Sequence, residues 1–149
     1  MKLLKGKVSI ITGGSRGIGR SICLKFAEQG SDIIFSYISS KESAKKLESE
    51  LVALGVKAKG IMSDASNFDS SRDLVEYVQE NFSSIDILIN NAGITKDGLL
   101  MRMSEEDFDR VMSVNMKSVF NMTKCVQKKM LAQRSGSIIN LSSIVGLRG

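Results

Sequence analysis

Short apolar runs rich in β-branched residues alternate along this chain with longer segments of helical periodicity. Five runs predict strands, at residues 7–12, 32–37, 57–63, 86–91 and 136–142. Between them, apolar residues recur on single helical faces: Ile18, Ile22 and Phe26; Leu47, Leu51 and Leu54; and Leu74, Val75 and Val78. This alternation predicts an α/β fold, in which a doubly wound parallel sheet is covered on both faces by helices with right-handed crossovers.

Residues 104–134 predict two further helices. Ser104 begins the first with a capping box, in which its partner is Asp107 or the neighbouring Glu106. The second helix, at 116–130, is apolar on more than one face. Such a helix is either deeply buried or part of a subunit contact.

Length and composition fit one domain covering residues 1–149. A chain of this size with 42% hydrophobic residues can bury about two thirds of its unfolded surface. The 21 basic residues exceed the 16 acidic ones but are scattered, which suits an anionic ligand better than a nucleic acid. The first apolar run is too short for a signal peptide or membrane span, so we expect a cytoplasmic protein without a membrane partner.

The chain contains no histidine. Ser-His-Asp and Cys-His nucleophilic sites and the usual zinc sites therefore cannot be built from it. Cys23 and Cys125 form neither a CxxC motif nor a metal-ligand cluster, and we interpret them as reduced core thiols. Any catalysis must use Ser, Tyr, Lys, Asp, Glu or a cofactor, and no metal is expected.

A glycine-rich stretch, "ITGGSRGIG" at 11–19, follows the first strand and begins the first helix. Gly13 permits a sharp turn, Gly17 leaves room for a pyrophosphate, and Gly19 allows the helix to pack closely on the sheet. The spacing G-x-x-x-G-x-G differs from the commoner G-x-G-x-x-G. An ordinary glycine-rich turn therefore stays open as the alternative.

The end of the second strand indicates which dinucleotide would bind. An NAD site takes an acidic residue there for the ribose 2′-hydroxyl, but "SYISSK" at 36–41 has no carboxylate. Arg16, Ser39, Ser40 and Lys41 offer positive charge and hydroxyl groups for a 2′-phosphate. NADP(H) is therefore favoured over NAD(H), although Lys41 is equally well explained as a solvated residue in the next helix.

Two other strand ends carry candidate ligand contacts. "NNAG" at 90–93 ends the fourth strand, where ligands bind in open α/β sheets. Gly93 would allow close approach to a ribose, although a plain turn explains the motif as well. Asp64 and Ala65 end the third strand and suit either an adenine contact or a helix-capping loop.

Taken together, these motifs, with Asn115 and "NLSS" at 140–143, resemble the short-chain dehydrogenase/reductase family. Within that family, "NNAGITKDGLLMRMSEEDFDRVMSVN" at 90–115 is similar to the bacterial 3-oxoacyl-acyl-carrier-protein reductases of fatty acid synthesis. The resemblance implies a Rossmann sheet with strand order 3-2-1-4-5, truncated before the last strands. It also implies NADPH as cofactor, a 3-oxoacyl thioester on acyl-carrier protein as substrate and a homotetramer.

The resemblance assigns roles to individual residues. Ser143 would hydrogen-bond the substrate carbonyl, whereas Ser142 is structural. Asn115 would hold a helix kink and a water for proton relay. Arg134 would help to dock the carrier protein, although a solvated residue that complements the helix dipole explains it at least as well. With the glycine stretch, the expected cofactor-binding residues are Gly13, Ser15, Arg16, Gly17, Ile18, Gly19, Asp64, Ala65, Asn91, Ala92 and Gly93.

In the family that this chain resembles, a Tyr about a dozen residues after the serine donates the proton, and a Lys four residues beyond it lowers the pKa of that Tyr and binds ribose. This chain ends before any such pair, and Tyr37 and Tyr77 belong to the second strand and the third crossover helix. We therefore expect the amino-terminal part of a longer reductase that is inactive alone. Two alternatives are a naturally shortened, non-catalytic nucleotide-binding protein and a reductase of acetoacetyl-CoA or another small ketone.

Overall fold

Five parallel strands form one sheet in the computed structural model, which describes residues 1–148. The strands are β1 (Val8–Ile11), β2 (Asp32–Tyr37), β3 (Ala58–Met62), β4 (Ile87–Asn90) and β5 (Ser137–Asn140). Their order is β3-β2-β1-β4-β5, as predicted. The observed β2 matches its expected range, and the other strands are one or two residues shorter at each end.

The helices follow the strands in alternation. They are α1 (Gly17–Glu28), α2 (Lys41–Ala53), α3 (Phe68–Asn81), α4 (Glu105–Met112), α5 (Ser118–Gln133) and the short α6 (Val145–Arg148). A single 3-10 turn, Leu100–Arg102, precedes α4. No helix within residues 1–148 is long and apolar enough to cross a membrane.

Two apolar layers cover the two faces of the sheet. On β1, Ile10 packs into the layer under α3 and α5, whereas Ile11 packs into the layer under α1 and α2. Adjacent strand residues point to opposite faces, so a sheet with two covered faces needs apolar residues at both. This explains why the apolar runs in β1, β2 and β4 are nearly continuous, with the small buried residues Ser9 and Ser36 as the polar positions within them.

The predicted apolar face of α1 is displaced by one residue. Ile18 is 66% exposed, and Ile22 and Phe26 are only partly buried against the core. The buried residues of α1 are Gly19, Cys23 and Ala27. Small side chains let this helix lie close to the sheet, so the large residues lie beside the contact instead of within it.

The predicted faces of α2 and α3 are largely correct. Leu47 and Leu51 are fully buried, as is the whole predicted set on α3, but Leu54 is exposed. Leu54 caps the carboxyl end of α2, where the helix leaves the sheet and its last side chain meets solvent.

Residues 105–133 form one continuous helical segment, with Ser104 and Arg134 as its caps, instead of two separate helices. Ser104 Oγ accepts a hydrogen bond from the Asp107 N–H at 3.1 Å, so Asp107 and not Glu106 is the capping partner. A π-helical turn, Ser113–Lys117, then joins α4 directly to α5. This π-helical turn contains neither glycine nor proline, so no residue in it favours the end of a helix. The turn is wider than an α-helical turn and accommodates one more residue, and α4 therefore continues into α5.

The apolar residues of α5 divide between the core and the surface. Met122 and Val126 are fully buried and Met130 nearly so, whereas Phe120 is 58% exposed and Met116, in the preceding π-helical turn, is 61% exposed. Burial thus explains one face of this helix, and a subunit contact stays the prediction for the exposed face.

A carboxylate ties the amino-terminal ends of β1 and β4 together. Asp86 accepts hydrogen bonds from the Val8 N–H at 3.0 Å and from Ser84 Oγ at 2.5 Å, and it pairs with Lys7 at 3.2 Å. Burial alone would raise the pKa of Asp86, but these hydrogen bonds and the Lys7 ammonium outweigh burial and hold the pKa below its ordinary value.

Candidate functional site

A cleft of about 300 Å³ opens at the carboxyl edge of the sheet, where the order of strands reverses between β1 and β4. This switch point is where open α/β sheets bind ligands. Of the eleven residues expected to bind cofactor, ten line this cleft, and Gly19 is the exception. The lining also includes Ser36, Tyr37, Ile38, Ser39, Ser40, Ser63, Ser66, Ile94, Val114 and Ser118.

Backbone geometry explains two glycines of the loop between β1 and α1. Gly13 has a φ of +65°, and a Cβ there would lie 3.2 Å from the Cα of Ala92. Gly17 has a φ of +53°, but an added Cβ would meet nothing within 4 Å. Because Gly17 lines the cleft, a side chain at this position would occupy space that a ligand could fill. The expected role of Gly17 therefore fits this geometry.

Gly19 is needed for a different reason from the one inferred from sequence. A Cβ on Gly19 would lie 2.3 Å from the Gly13 carbonyl oxygen and 2.5 Å from Asn91 Nδ2. The contact is with the loop itself, not with the sheet. Close packing on the sheet instead requires Gly14, whose Cβ would lie 2.5 Å from the Phe35 Cβ. Sequence reasoning missed Gly14.

Thr12 and Asn91 join the glycine loop to the end of β4. The Thr12 hydroxyl oxygen accepts hydrogen bonds from the N–H groups of Asn91 and Ala92 at 3.0 and 2.9 Å. In return, Asn91 Nδ2 donates to the carbonyl oxygens of Thr12 and Gly13 at 2.9 and 3.1 Å. Sequence reasoning missed Thr12, although a buried threonine that ends an apolar strand beside a glycine loop was an available signal.

The end of β2 supplies hydroxyl groups to the same loop and to the cleft. Ser36 Oγ, also missed from sequence, accepts a hydrogen bond from the Gly13 N–H at 3.1 Å. Ser39, Ser40 and Arg16 line the cleft. Lys41 begins α2 and is not among the lining residues, so its explanation as a solvated helix residue fits the structure.

Charge is sparse around the cleft. Among residues 1–148, Arg16 and Asp64 are the two charged residues that line it. Arg16 is exposed and forms no ion pair within this range, whereas Arg20 on the same helix pairs with Glu50 of α2. Asp64 Oδ1 accepts hydrogen bonds from the N–H and Oγ of Ser66 at 2.9 and 2.7 Å. The cleft therefore offers one unpaired cation to an anionic ligand.

The loop after β3 contains both the proposed ligand contact and a separate helix cap. Ala65 lines the cleft, and its carbonyl oxygen accepts a hydrogen bond from Asn121 Nδ2 at 2.9 Å. The cap of α3 is Asn67, whose Oδ1 accepts from the Ser70 N–H at 2.9 Å. Since Asn67 performs the capping, Asp64 and Ala65 are not required for it.

Asn115 lies in the π-helical turn and holds the loop after β4. Its Oδ1 accepts from the Ile94 N–H at 2.8 Å, and its Nδ2 donates to the Ile94 carbonyl oxygen at 2.9 Å. A π-helical turn is frequent at functional sites because it redirects side chains within a helix. Here it places a side-chain amide against the backbone next to Gly93.

Ser143 follows β5 at the same edge of the sheet but does not line the cleft. It is exposed, and its Oγ accepts a hydrogen bond from the Val145 N–H at 3.2 Å. No hydrogen bond joins Ser143 to Asn115 within residues 1–148. The strand before it is aligned with β4 through Asn90 Nδ2, which donates to Asn140 Oδ1 at 2.8 Å.

Neither cysteine is activated as a nucleophile. Burial raises the pKa of the Cys23 thiol to about 12 and also raises that of Cys125, so both are protonated at neutral pH. In the described part of the chain, no group of three His, Cys, Asp or Glu side chains could hold a metal ion.

The sequence of this chain matches a known family and several of its members. The family model described as short chain dehydrogenase matches residues 7–149. The 3-oxoacyl-acyl-carrier-protein reductase of Staphylococcus epidermidis is 47% identical over 143 residues, which are 96% of this chain and 59% of the relative. The reductase of the same name from Thermotoga maritima is 45% identical, over 98% of this chain and 59% of the relative.

Among solved structures with the same fold, one contains NADP and another contains NAD+. A short chain dehydrogenase from Burkholderia cenocepacia in complex with NADP has a TM-score of 0.91 and 33% identity, over 97% of this chain and 58% of the other. A NAD+-bound xylitol dehydrogenase has a TM-score of 0.94 and 31% identity, over 99% of this chain and 57% of the other. The chain thus spans about three fifths of the length of the relatives it matches.

Proposed function

This chain belongs to the short-chain dehydrogenase family, and from that premise we propose that it is the cofactor-binding part of an NADPH-dependent reductase. The proposed reaction converts 3-oxoacyl-acyl-carrier protein to 3-hydroxyacyl-acyl-carrier protein. The observation that carries the proposal is the 47% identity with a 3-oxoacyl-acyl-carrier-protein reductase over 96% of this chain.

Residues of the cleft support NADPH over NADH. Similar solved structures hold NADP in one case and NAD+ in another, so the preference must be argued from this chain. No carboxylate lies at the end of β2, and Arg16 lines the cleft with Ser39 and Ser40. A guanidinium forms charge-assisted hydrogen bonds with a phosphate, whereas a 2′-hydroxyl gains little from it. The open space at Gly17 fits the pyrophosphate.

Bound NADPH would supply the hydride, and Ser143 would stabilise the oxygen that becomes negative. The Ser143 oxygen accepts a hydrogen bond from the Val145 N–H, which leaves its own proton free to donate to a substrate carbonyl. A preorganised donor of this kind contributes about 3–4 kcal/mol to a transition state. Asn115 would hold Ile94, and with it the adjoining Gly93, at the nicotinamide side of the cleft.

The alkoxide that forms then needs a proton. Tyr37 lines the cleft at the end of β2, on the side assigned to the 2′-phosphate, and Tyr77 packs against the core from α3. Neither is suited to protonate an oxygen beside Ser143. We therefore propose that a Tyr-x-x-x-Lys pair beyond residue 149 completes the site in a longer protein.

The proposed protein partners are acyl-carrier protein and further copies of this chain. Exposed apolar residues recur every four positions along the continuous helix, at Phe108, Met112, Met116 and Phe120. A stripe of this kind suits a second copy in a homotetramer. Arg134 is exposed at the end of α5 and could attract an acidic carrier protein.

Two measurements test the proposal. We expect the 149-residue chain to bind NADPH more tightly than NADH, and to leave NADPH unoxidised when mixed with a 3-oxoacyl thioester. A chain extended through a Tyr-x-x-x-Lys pair should oxidise NADPH, and faster with carrier-protein thioesters than with small ketones. Failure of the unaltered chain to bind either cofactor would overturn the proposal, and ordinary turnover by residues 1–149 would overturn the proton-donor assignment.

A further inference from the structure

Asn121 lies behind the wall of the cleft and reaches the loop between β3 and α3. Its Nδ2 donates to the Ala65 carbonyl oxygen at 2.9 Å. The residue is only 1% exposed and does not line the cleft. Asn121 can therefore act on a bound nucleotide only through Ala65, which does line it.

Most other hydrogen bonds of this loop are local. Ser63 Oγ bonds to Ser70, and Asp64 accepts from Ser66. Ser71 Oγ also approaches the Ala65 carbonyl at 3.2 Å, but its one proton is shared with the Asn67 carbonyl at 3.0 Å. Within residues 1–148, Asn121 contributes the one side-chain hydrogen bond that reaches this loop from outside residues 63–71.

The side-chain oxygen of Asn121 makes no stabilising hydrogen bond within residues 1–148. Its Oδ1 is buried and has no hydrogen-bond partner within residues 1–148. A buried carbonyl without a partner lowers stability, and an apolar side chain of similar size would avoid that cost. The contribution of Asn121 is therefore the donor that it directs at Ala65, and not the stability of the core.

One continuous helical segment thus holds both loops of the cleft. In its π-helical turn, Asn115 bonds Ile94 in the loop after β4, and in α5 Asn121 bonds Ala65 in the loop after β3. We infer that Asn121 is a positioning residue for the adenine half of the bound nucleotide, acting through the Ala65 carbonyl. This inference rests on the nucleotide-binding function proposed above.

The test compares Asn121→Leu with Gln133→Leu in the 149-residue chain. Gln133 is a matched control because it also lies in α5 and also bonds backbone groups, the N–H and carbonyl of Ile85 at 3.1 and 3.0 Å. Affinities are measured for adenosine 2′,5′-bisphosphate and for nicotinamide mononucleotide. Amide hydrogen exchange of residues 64–67 is measured without ligand.

Asn121→Leu should weaken binding of adenosine 2′,5′-bisphosphate about three- to tenfold, as the loss of one hydrogen bond predicts. Binding of nicotinamide mononucleotide should stay nearly unchanged, and exchange at 64–67 should accelerate. Gln133→Leu should lower the unfolding midpoint without changing the ratio of the two ligand affinities, because the contacts of Gln133 lie at the start of β4.

Each contrary result has a distinct meaning. If Asn121→Leu leaves the adenosine affinity and the exchange rates unchanged, the positioning role is wrong. A parallel loss for both ligands would indicate general loosening and would also overturn it. If the unaltered chain binds neither ligand, the proposed nucleotide-binding function fails, and this inference fails with it.

Discussion

Replacing Arg16 with alanine tests the choice of cofactor at the one cationic residue that lines the cleft within residues 1–148. Arg16 is exposed and has no ion-pair partner in that range, whereas Arg20 is already paired with Glu50. Removing the Arg16 side chain therefore breaks no ion pair within the described structure. Its effect should fall on a bound 2′-phosphate.

The size of the effect follows from the type of interaction. A hydrogen bond to a charged group contributes about 1.5–3 kcal/mol, and each 1.4 kcal/mol changes an affinity about tenfold. Arg16→Ala should therefore weaken NADPH binding roughly ten- to a hundredfold. NADH lacks the 2′-phosphate, so its affinity should hardly change. Because Arg16 is exposed, added salt should narrow the difference between variant and wild type.

Fluorescence titration with both cofactors measures the effect, and Lys41→Ala is the matched control. Lys41 carries the same charge and lies near the cleft, but it does not line it. Its replacement should change neither affinity by more than about twofold, as expected for a screened surface charge. Equal losses for NADPH and NADH in Arg16→Ala, or an equal NADPH loss in Lys41→Ala, would refute the 2′-phosphate assignment.

Three further predictions address stability and catalysis. Gly17→Ala should lower the free energy of unfolding by about 1–2 kcal/mol, because alanine is strained in the left-handed backbone conformation of Gly17. Gly19→Ala should lower it by about 3 kcal/mol, because the added Cβ clashes with the Gly13 carbonyl oxygen. Equal losses for the two variants in urea denaturation would contradict this. Asp86→Asn should lower the free energy of unfolding by about 1–3 kcal/mol at pH 7. Because the pKa of Asp86 is lowered in the folded state, the Asp86 carboxylate stabilises the fold fully above its unfolded pKa, and this stabilisation is lost as pH falls through its folded pKa. The stability difference between Asp86→Asn and wild type should therefore shrink in acid, and an unchanged difference would contradict the role of the carboxylate. In a chain extended through a Tyr-x-x-x-Lys pair, Ser143→Ala should reduce turnover about a hundred- to a thousandfold and Ser142→Ala far less; similar losses would exclude Ser143 as the donor.

The strands could be predicted because burial on both faces leaves a strong local signal, whereas their order was predicted from the family resemblance. Every position of β1 must be apolar or small, and the glycine loop that follows β1 indicates where the chain leaves the sheet. The face of α1 was predicted wrongly for a related reason. Periodicity gives weight to large residues such as Ile22, but this helix approaches the sheet so closely that only the smaller Cys23 and Ala27 fit the contact.

The residues missed in the site share partners that are distant in sequence. Thr12 bonds residues about eighty positions away, and Gly14 is required by the Phe35 side chain of another strand. No local pattern specifies these partners, although the position of Thr12 between an apolar strand and a glycine loop could have marked the residue itself. The π-helical turn around Asn115 has no local signal, because nothing in its sequence distinguishes it from a regular helix; the kink expected there was implied by the family resemblance alone.

Neutral amide side chains hold the loops that line the cleft. Asn91 bonds the glycine loop, Asn115 bonds Ile94, and Asn121 bonds Ala65. An amide pins a backbone carbonyl as a donor without adding charge, and in the same side chain it can accept from a backbone N–H. A carboxylate could accept but not donate, and it would place negative charge beside the phosphates of a dinucleotide. With amides at these three positions, no further carboxylate is added to Asp64 at the cleft, and the amino-terminal end of α1 and Arg16 attract an anion. The loops are thus fixed without weakening the attraction that a dinucleotide requires.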